Sequence, residues 1–503
     1  MSLGLLRLIL SLMVVDQHYG LFRNHVQPLL LRAVEPHALS PIGEGAVAVT
    51  GFFVLSGYLI GWILEHKYRP EQHGVLGFYA SRAVRIYPLY LLVLAAQLAA
   101  HAYTVGMDIS PRALLDNITL LPYAATMMWG QRGMVTTLDI GARFVLPQAW
   151  TVSLDLLFYL VAPMLLNHPR RRRVLLLALL GAAWVLAGAT PASPLWFQYF
   201  YSSGFVYLFA FLLGGEARAW RCGATLPFIA ASVSVLLAAY LPILLPPAFW
   251  QLLAAFAFAY IVRHLHETTP SNTLDRFFSD LTYPLYLVHL PLLWLLTPGD
   301  SGKRIALALA VTLLVSVTLI YLFERPLERW RARLSTRLAR ATATRTPTRQ
   351  GTGLAAAVGG LMLFAPLRND LTVLRTLRPA HTALQAAQPL PLQSARDVVF
   401  SMADPPRGRL RVGNGDWALE FFRDGDRCDW RLDKPRTQLG HPERLPCRAP
   451  LVLAMYRLGS QTVIGVDSTW VVSVPASTPT FNLDYTGPAS ARLTLWRGYA
   501  EQQ

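Results

Sequence analysis

The chain has 503 residues, of which 53% are hydrophobic and only 15% charged, and its mean hydropathy is +0.37. Soluble domains carry about 25% charged residues, so the composition excludes an ordinary water-soluble globule. The net charge of +16 is almost wholly arginine, all but three of 45 basic residues, placed between long apolar runs rather than on a polar scaffold. That placement points to a membrane protein and away from a nucleic-acid binder, and three cysteines exclude a disulfide-stapled scaffold or a zinc cluster.

Apolar runs long enough to span a bilayer, roughly 20 residues each, occur at about 3–19, 45–64, 86–104, 144–166, 174–190, 199–215, 226–245, 248–262, 281–297, 305–323 and 352–367. The first lacks a small-residue cleavage site and carries Asp16 and His18, so it reads as a retained helix and not a signal peptide. PILLPP (242–247) marks a turn inside the uncharged stretch 224–262. With the N-terminus placed in the cytoplasm, loop arginines and lysines favour that side about three to one, alternating in phase with the spans. Eleven spans then put the C-terminus outside. The expected organisation is a membrane unit (1–330), a basic cytosolic linker (331–350), an additional transmembrane helix (351–367) and an extracytoplasmic unit (368–503).

In that last segment short alternating runs, VVFSM (398–402), ALEFF (418–422), TVIGV (462–466), TWVVSV (469–474) and ARLTLW (491–496), are separated by turn residues and predict a small β-rich domain. Cys428 and Cys447 lie within it. In an oxidising compartment they could pair, adding roughly 3 kcal/mol, or remain two thiols. The fold class expected is therefore an all-α polytopic membrane bundle of about ten core helices plus an eleventh, with a C-terminal β-rich extracytoplasmic domain.

Ionisable residues inside spans are costly and by default mark function. Arg7 and His18 are eleven residues apart, which leaves ~20° of helical rotation and ~16 Å of rise, so they share one stripe. Asp16 points elsewhere, and an acid partner for His18 is expected from another span, with Asp155 the first choice. Arg82 and Arg85 share a face where an amphipathic segment enters the third span. They suit a diphosphate or phosphate, which guanidinium groups grip bidentately, and equally suit topological anchoring. Tyr283, Tyr286 and His289 recur every three residues, as a polar lining or an aromatic ridge. His101 reads as structural, and Glu324 closes a span. In GFFVLSGYLI (51–60), Gly57 and Gly61 permit close helix contact, and Ser56 as a nucleophile would need a base. Asn117-Ile118-Thr119 matches a glycosylation sequon. No Gly-rich phosphate loop, HExxH or metal-ligand cluster is present.

Taken in order, LRLILSLMVVDQH (6–18), GFFVLSGYLI (51–60), SRAVRIYPLYLL (81–92), AWTVSLDLLFYLVAP (149–163), YPLYLVHLPL (283–292) and FERP (323–326) resemble the motifs of the acyltransferase-3 family, polytopic enzymes that O-acylate bacterial surface polysaccharides. The resemblance covers about residues 3–330. It implies an inner-membrane enzyme with no permanently bound cofactor. Acyl-CoA, acetyl-CoA in the usual case, would be co-substrate, and a polysaccharide or lipid-linked oligosaccharide the acceptor. His18 would be the essential histidine, Arg82 and Arg85 would hold the CoA phosphates, and Arg7 and Glu324 match family positions of supporting or architectural role; Ser56, Tyr286 and His289 are supporting candidates from the residues themselves. The family acid at position 155 is typically Glu, and this chain has the shorter Asp. The tail lacks the Gly-Asp-Ser and Asp-x-x-His blocks of the SGNH-hydrolase domain fused to some relatives, so its expected role is to bind glycan or a polysaccharide-assembly protein, or to pack structurally.

A sugar hydroxyl is a poor nucleophile, and His18 as general base would activate it for direct attack on the thioester; a relay through an acyl-enzyme on His18 or Ser56 is the other route. A transporter or flippase for a lipid-linked glycan is the reading from another class, but a carrier has no need of a phosphate clamp on one side only. A receptor or scaffold that uses the bundle only as an anchor is the third.

Overall fold

The computed structural model describes residues 2–19, 44–68, 74–104, 111–120, 145–166, 168–189, 204–221, 224–240, 247–270, 272–296 and 302–330, and twelve strands between Pro379 and Arg497. The helices are α1 (Leu3–Tyr19), α2 (Glu44–His66), α3 (Gly74–Thr104), α4 (Pro111–Thr119), α5 (Trp150–Leu166), α6 (Arg170–Ala189), α7 (Gly204–Ala217), α8 (Thr225–Tyr240), α9 (Pro247–Thr268), α10 (Thr273–Leu296) and α11 (Gly302–Leu319). Each of the first ten apolar runs falls on one of these; the run at 352–367 and the linker before it lie outside the described residues. Segments Gly45–His66, Gly77–Ala100, Pro147–Leu166 and Ala306–Trp330 are long and apolar enough to cross a membrane. Val206–Ala217 and Thr225–Ala239 are shorter apolar helices.

Outward faces are apolar: Leu175, Leu226, Leu314 and Leu322 are all largely exposed. A soluble protein rarely presents such faces, whereas hydrocarbon accepts them without cost. Inside, α2 is the central element, packed on α1, α5, α7 and α9. Its glycines explain how. A Cβ on Gly57 would collide with the Phe211 carbonyl of α7, and one on Gly214 of α7 would collide with the Val54 carbonyl of α2. The two backbones touch because neither helix carries a side chain there. At Gly61 the space is taken by the Arg218 guanidinium, which pairs with Glu65 at 2.6 Å.

Several helices carry interior prolines, each of which removes a backbone donor. Pro291 leaves the Leu287 carbonyl of α10 without its helical partner, and the buried Gln148 amide donates to that oxygen at 2.7 Å. A short 3-10 turn, Pro147–Ala149, sets Gln148 in this position just ahead of α5. Asn117 is fully buried in α4: its side-chain oxygen accepts from the Val145 amide and its carbonyl from the Tyr90 hydroxyl. The sequon match is therefore not a glycosylation site in the folded chain.

The strands pair antiparallel in two six-stranded sheets, the first strand (Pro379–Ala383) lying beside the last (Arg492–Arg497). Four of the five alternating runs fall within a strand, as do residues 492–496 of the fifth. Cys428 faces Leu445 across strands Arg427–Asp433 and Leu445–Pro446; Cys447 lies outside the described residues.

Replacing Gly57 with Ala should destabilise the bundle by about 1–3 kcal/mol, the usual cost of overpacking. Thermal unfolding of the detergent-solubilised protein measures this, and an unchanged midpoint would refute the α2–α7 backbone contact.

Candidate functional site

Helices α1 and α10 run parallel and in register. The Gly4 amide donates to Asp275 Oδ1, Arg7 Nη1 donates to the Ser279 hydroxyl, and His18 meets His289, with sequence offsets of 271, 272 and 271. An offset that changes by no more than one over fifteen residues means that both helices rise together at ~1.5 Å per residue. Arg7 and His18 thus mark two ends of one column, ~16 Å apart along the helix axis.

A cavity of about 280 Å³ fills the lower part of this column, between α1, α2, α3, α5 and α10. Its polar lining comprises Arg7, Arg82, Arg85, Ser56, Asp155, Tyr159, Thr151, Ser279, Thr282, Tyr283 and Tyr286. Three guanidinium groups thus face a single lining carboxylate. Arg82 and Arg85 lie in the third and fourth turns of α3, a continuous 31-residue helix, inside its membrane-spanning segment Gly77–Ala100. Arg85 pairs with Glu324 at 3.2 Å. Glu324 is 6% exposed and sits on a π-helical turn, Ile320–Glu324, that prolongs α11. Such a turn widens the helix and redirects side chains, a feature common at functional positions. Asp280 adds a carboxylate within the electrostatic reach of Arg7, Arg85 and Arg325. The Arg82 guanidinium lies 5.9 Å from the Phe78 ring, and its charge bears on Asp155.

In the middle of the cavity the Ser56 hydroxyl donates to Asp155 Oδ1 at 2.9 Å, with the Tyr159 hydroxyl 3.4 Å from Ser56. Thr151, Asp155 and Tyr159 are four residues apart and form one stripe of α5. At the far end the Tyr286 hydroxyl donates to the Gln148 carbonyl at 2.6 Å and lies 2.6 Å from Thr151 Oγ1.

Beyond Tyr286 stand the two imidazoles, which do not line the cavity. His289 is fully buried and His18 is exposed. The rings are 5.0 Å apart, with His289 Nε2 3.2 Å from His18 Nδ1. The expected His18–Asp155 pairing is not what the structure contains: Asp155 serves Ser56, and the neighbour of His18 is His289. The reason is height. Asp155 lies one helical turn below Thr151, which is level with Tyr286, whereas His18 is level with His289 one turn above. His101 lies on α3 in a part whose side chains are outside the described residues. Among the described residues no group of three or more His, Cys, Asp or Glu could hold a metal ion.

Gln148, Thr151, Tyr159 and Ser279 were not singled out from the sequence. For Thr151 and Tyr159 a signal existed, their four-residue spacing from Asp155; for Gln148 and Ser279 there was none, since only contacts across helices reveal them.

An apolar-faced helix bundle whose interior holds guanidinium, carboxylate and imidazole groups in one column defines a polytopic membrane protein with a polar chamber. The family model described as an acyltransferase domain, acyltransferase-3, matches residues 2–325. The chain belongs to that family and is a membrane acyltransferase. No curated protein matches it.

Arg85→Ala should remove the ion pair with the buried Glu324 carboxylate at a cost of about 1–3 kcal/mol. The double variant R85A/E324Q should recover most of the lost thermal stability in detergent; no recovery would mean that the ion pair does not carry that cost.

Proposed function

We propose that this protein transfers an acyl group, acetyl in the simplest case, from cytosolic acyl-CoA to a hydroxyl of an envelope or secreted polysaccharide or its lipid-linked precursor. The observation that carries this reading is the column itself: three guanidinium groups at one end and an imidazole ~16 Å along the same helix at the other. Acyl-CoA has the matching shape, with anionic phosphates far from its thioester. Arg7, Arg82 and Arg85 would hold the phosphates by charge-assisted, bidentate hydrogen bonds. The acyl arm would rise past Ser56, Thr151 and Tyr286 to the imidazoles.

His18 is the base in this scheme. Its Nδ1 lies 2.8 Å from the Val14 carbonyl, which can only accept, so Nδ1 carries the proton and Nε2 holds the lone pair. Nε2 takes the hydroxyl proton as the acceptor oxygen attacks the thioester carbonyl. The C–S bond then breaks, and the CoA sulfur leaves with the proton that His18 returns. The Arg-rich end is assigned to the cytoplasm of a bacterial inner membrane, in keeping with the positive-inside bias. Residues 368–503 are assigned as an extracytoplasmic β-rich domain that binds the glycan or a polysaccharide-assembly protein.

Mass spectrometry of envelope and secreted glycans, with and without the chain, should reveal a lost acyl mass; identical spectra would overturn the reading. His18→Ala should lower transfer by about 10²–10⁴-fold with expression intact, and retained transfer would reject His18 as base. Arg82→Ala with Arg85→Ala should raise the KM for acetyl-CoA, and an unchanged dose response would leave both as structural cations.

A further inference from the structure

We infer that His289 is the positioning residue of His18, in the place where histidine bases elsewhere use a carboxylate; this rests on the reading of His18 as the base. The two rings determine each other's hydrogen positions. His289 Nδ1 lies 2.7 Å from the Tyr286 carbonyl, so it carries a proton, and the Nε2 of the neutral ring is a bare acceptor. That acceptor faces His18 Nδ1 at 3.2 Å. The Nδ1–H of His18 is therefore shared between the Val14 carbonyl and His289 Nε2. With Nδ1 occupied in this way, His18 Nε2 is the atom left to receive a proton, and it has no hydrogen-bond partner among the described residues.

The arrangement also acts after the proton has moved. When the acceptor O–H bond breaks and an Nε2–H bond forms, His18 becomes an imidazolium. Its Nδ1–H bond to His289 turns into a charge-assisted one, roughly twice as strong as a neutral bond. His289 itself gains and loses no proton: the hydroxyl proton passes through His18 Nε2 to the departing sulfur. A neutral partner suits the site, because His289 is fully buried and a carboxylate there would be charged in apolar surroundings through the whole cycle. The Tyr286 link is part of the device. Tyr286 lines the cavity and its carbonyl accepts from His289, so one residue joins the chamber to the imidazoles.

Two variants of similar polarity separate positioning from packing. The amide oxygen of glutamine reaches the place of His Nε2, whereas that of asparagine reaches only the place of Nδ1. His289→Gln can therefore still accept from His18, and His289→Asn cannot. The measurement is release of CoA from acetyl-CoA by membranes carrying the full chain and native glycans, together with the acetyl mass on those glycans. His289→Asn should lower kcat by about 10²-fold at unchanged KM for acetyl-CoA, while His289→Gln stays within about tenfold of the parent. Equal activity of the two folded variants, or an effect confined to KM, would overturn the inference. Should His289→Asn not fold, His289→Gln decides: retained turnover supports positioning, and background turnover in a folded protein refutes it. A parent chain that transfers no acetyl at all would instead sink the proposed reaction, leaving the two failures distinct.

Discussion

The parallel registration of α1 on α10 is the constraint on which the site depends. Contacts at Gly4–Asp275, Arg7–Ser279 and His18–His289 keep the offset nearly constant. A slip by one residue would turn the helical face by about 100° and part all three pairs together. The spacing between the cationic end and the imidazoles is thus set by backbone rise rather than by flexible side chains. That makes the column a ruler, with α2 and α5 among the walls of its cavity.

Charge inside an apolar bundle must be compensated, and the protein does this differently along the column. At the Arg-rich end it uses ion pairs and ion–hydroxyl contacts: Arg85 with Glu324, Arg7 with Ser279, and Asp280 nearby. Midway, Asp155 is matched by the Ser56 hydroxyl and the field of Arg82. At the far end no carboxylate takes part: the two imidazoles meet at 3.2 Å, and the Nδ1 of each lies beside a backbone carbonyl of its own helix. The run from guanidinium groups to imidazoles suits the donor proposed above, with its anionic phosphates and uncharged thioester.

Rigidity comes from places with no chemistry of their own. Gly57 and Gly214 let α2 and α7 meet backbone to backbone, which holds one cavity wall still. Pro291 frees the Leu287 carbonyl, and Gln148 claims it, while the Gln148 carbonyl accepts from Tyr286. A helix defect is thereby turned into a clamp beside the residue that joins chamber and imidazoles.

Much of this was legible from residue order alone. Apolar runs located ten helices, because a span must satisfy its own backbone and so leaves a long uncharged stretch in the sequence. The Arg7–His18 stripe followed from helical rotation, and the six ordered motifs pointed to the family that matches residues 2–325. Periodicity along one helix, however, carries no information about the height of a residue on its neighbour. The partner of Asp155, the pairing of His18 with His289, and the roles of Gln148 and Ser279 all depend on how far one helix slides past another. Only packing decides that, through glycine contacts, proline-freed carbonyls and paired charges that hold at one register and fail at the next.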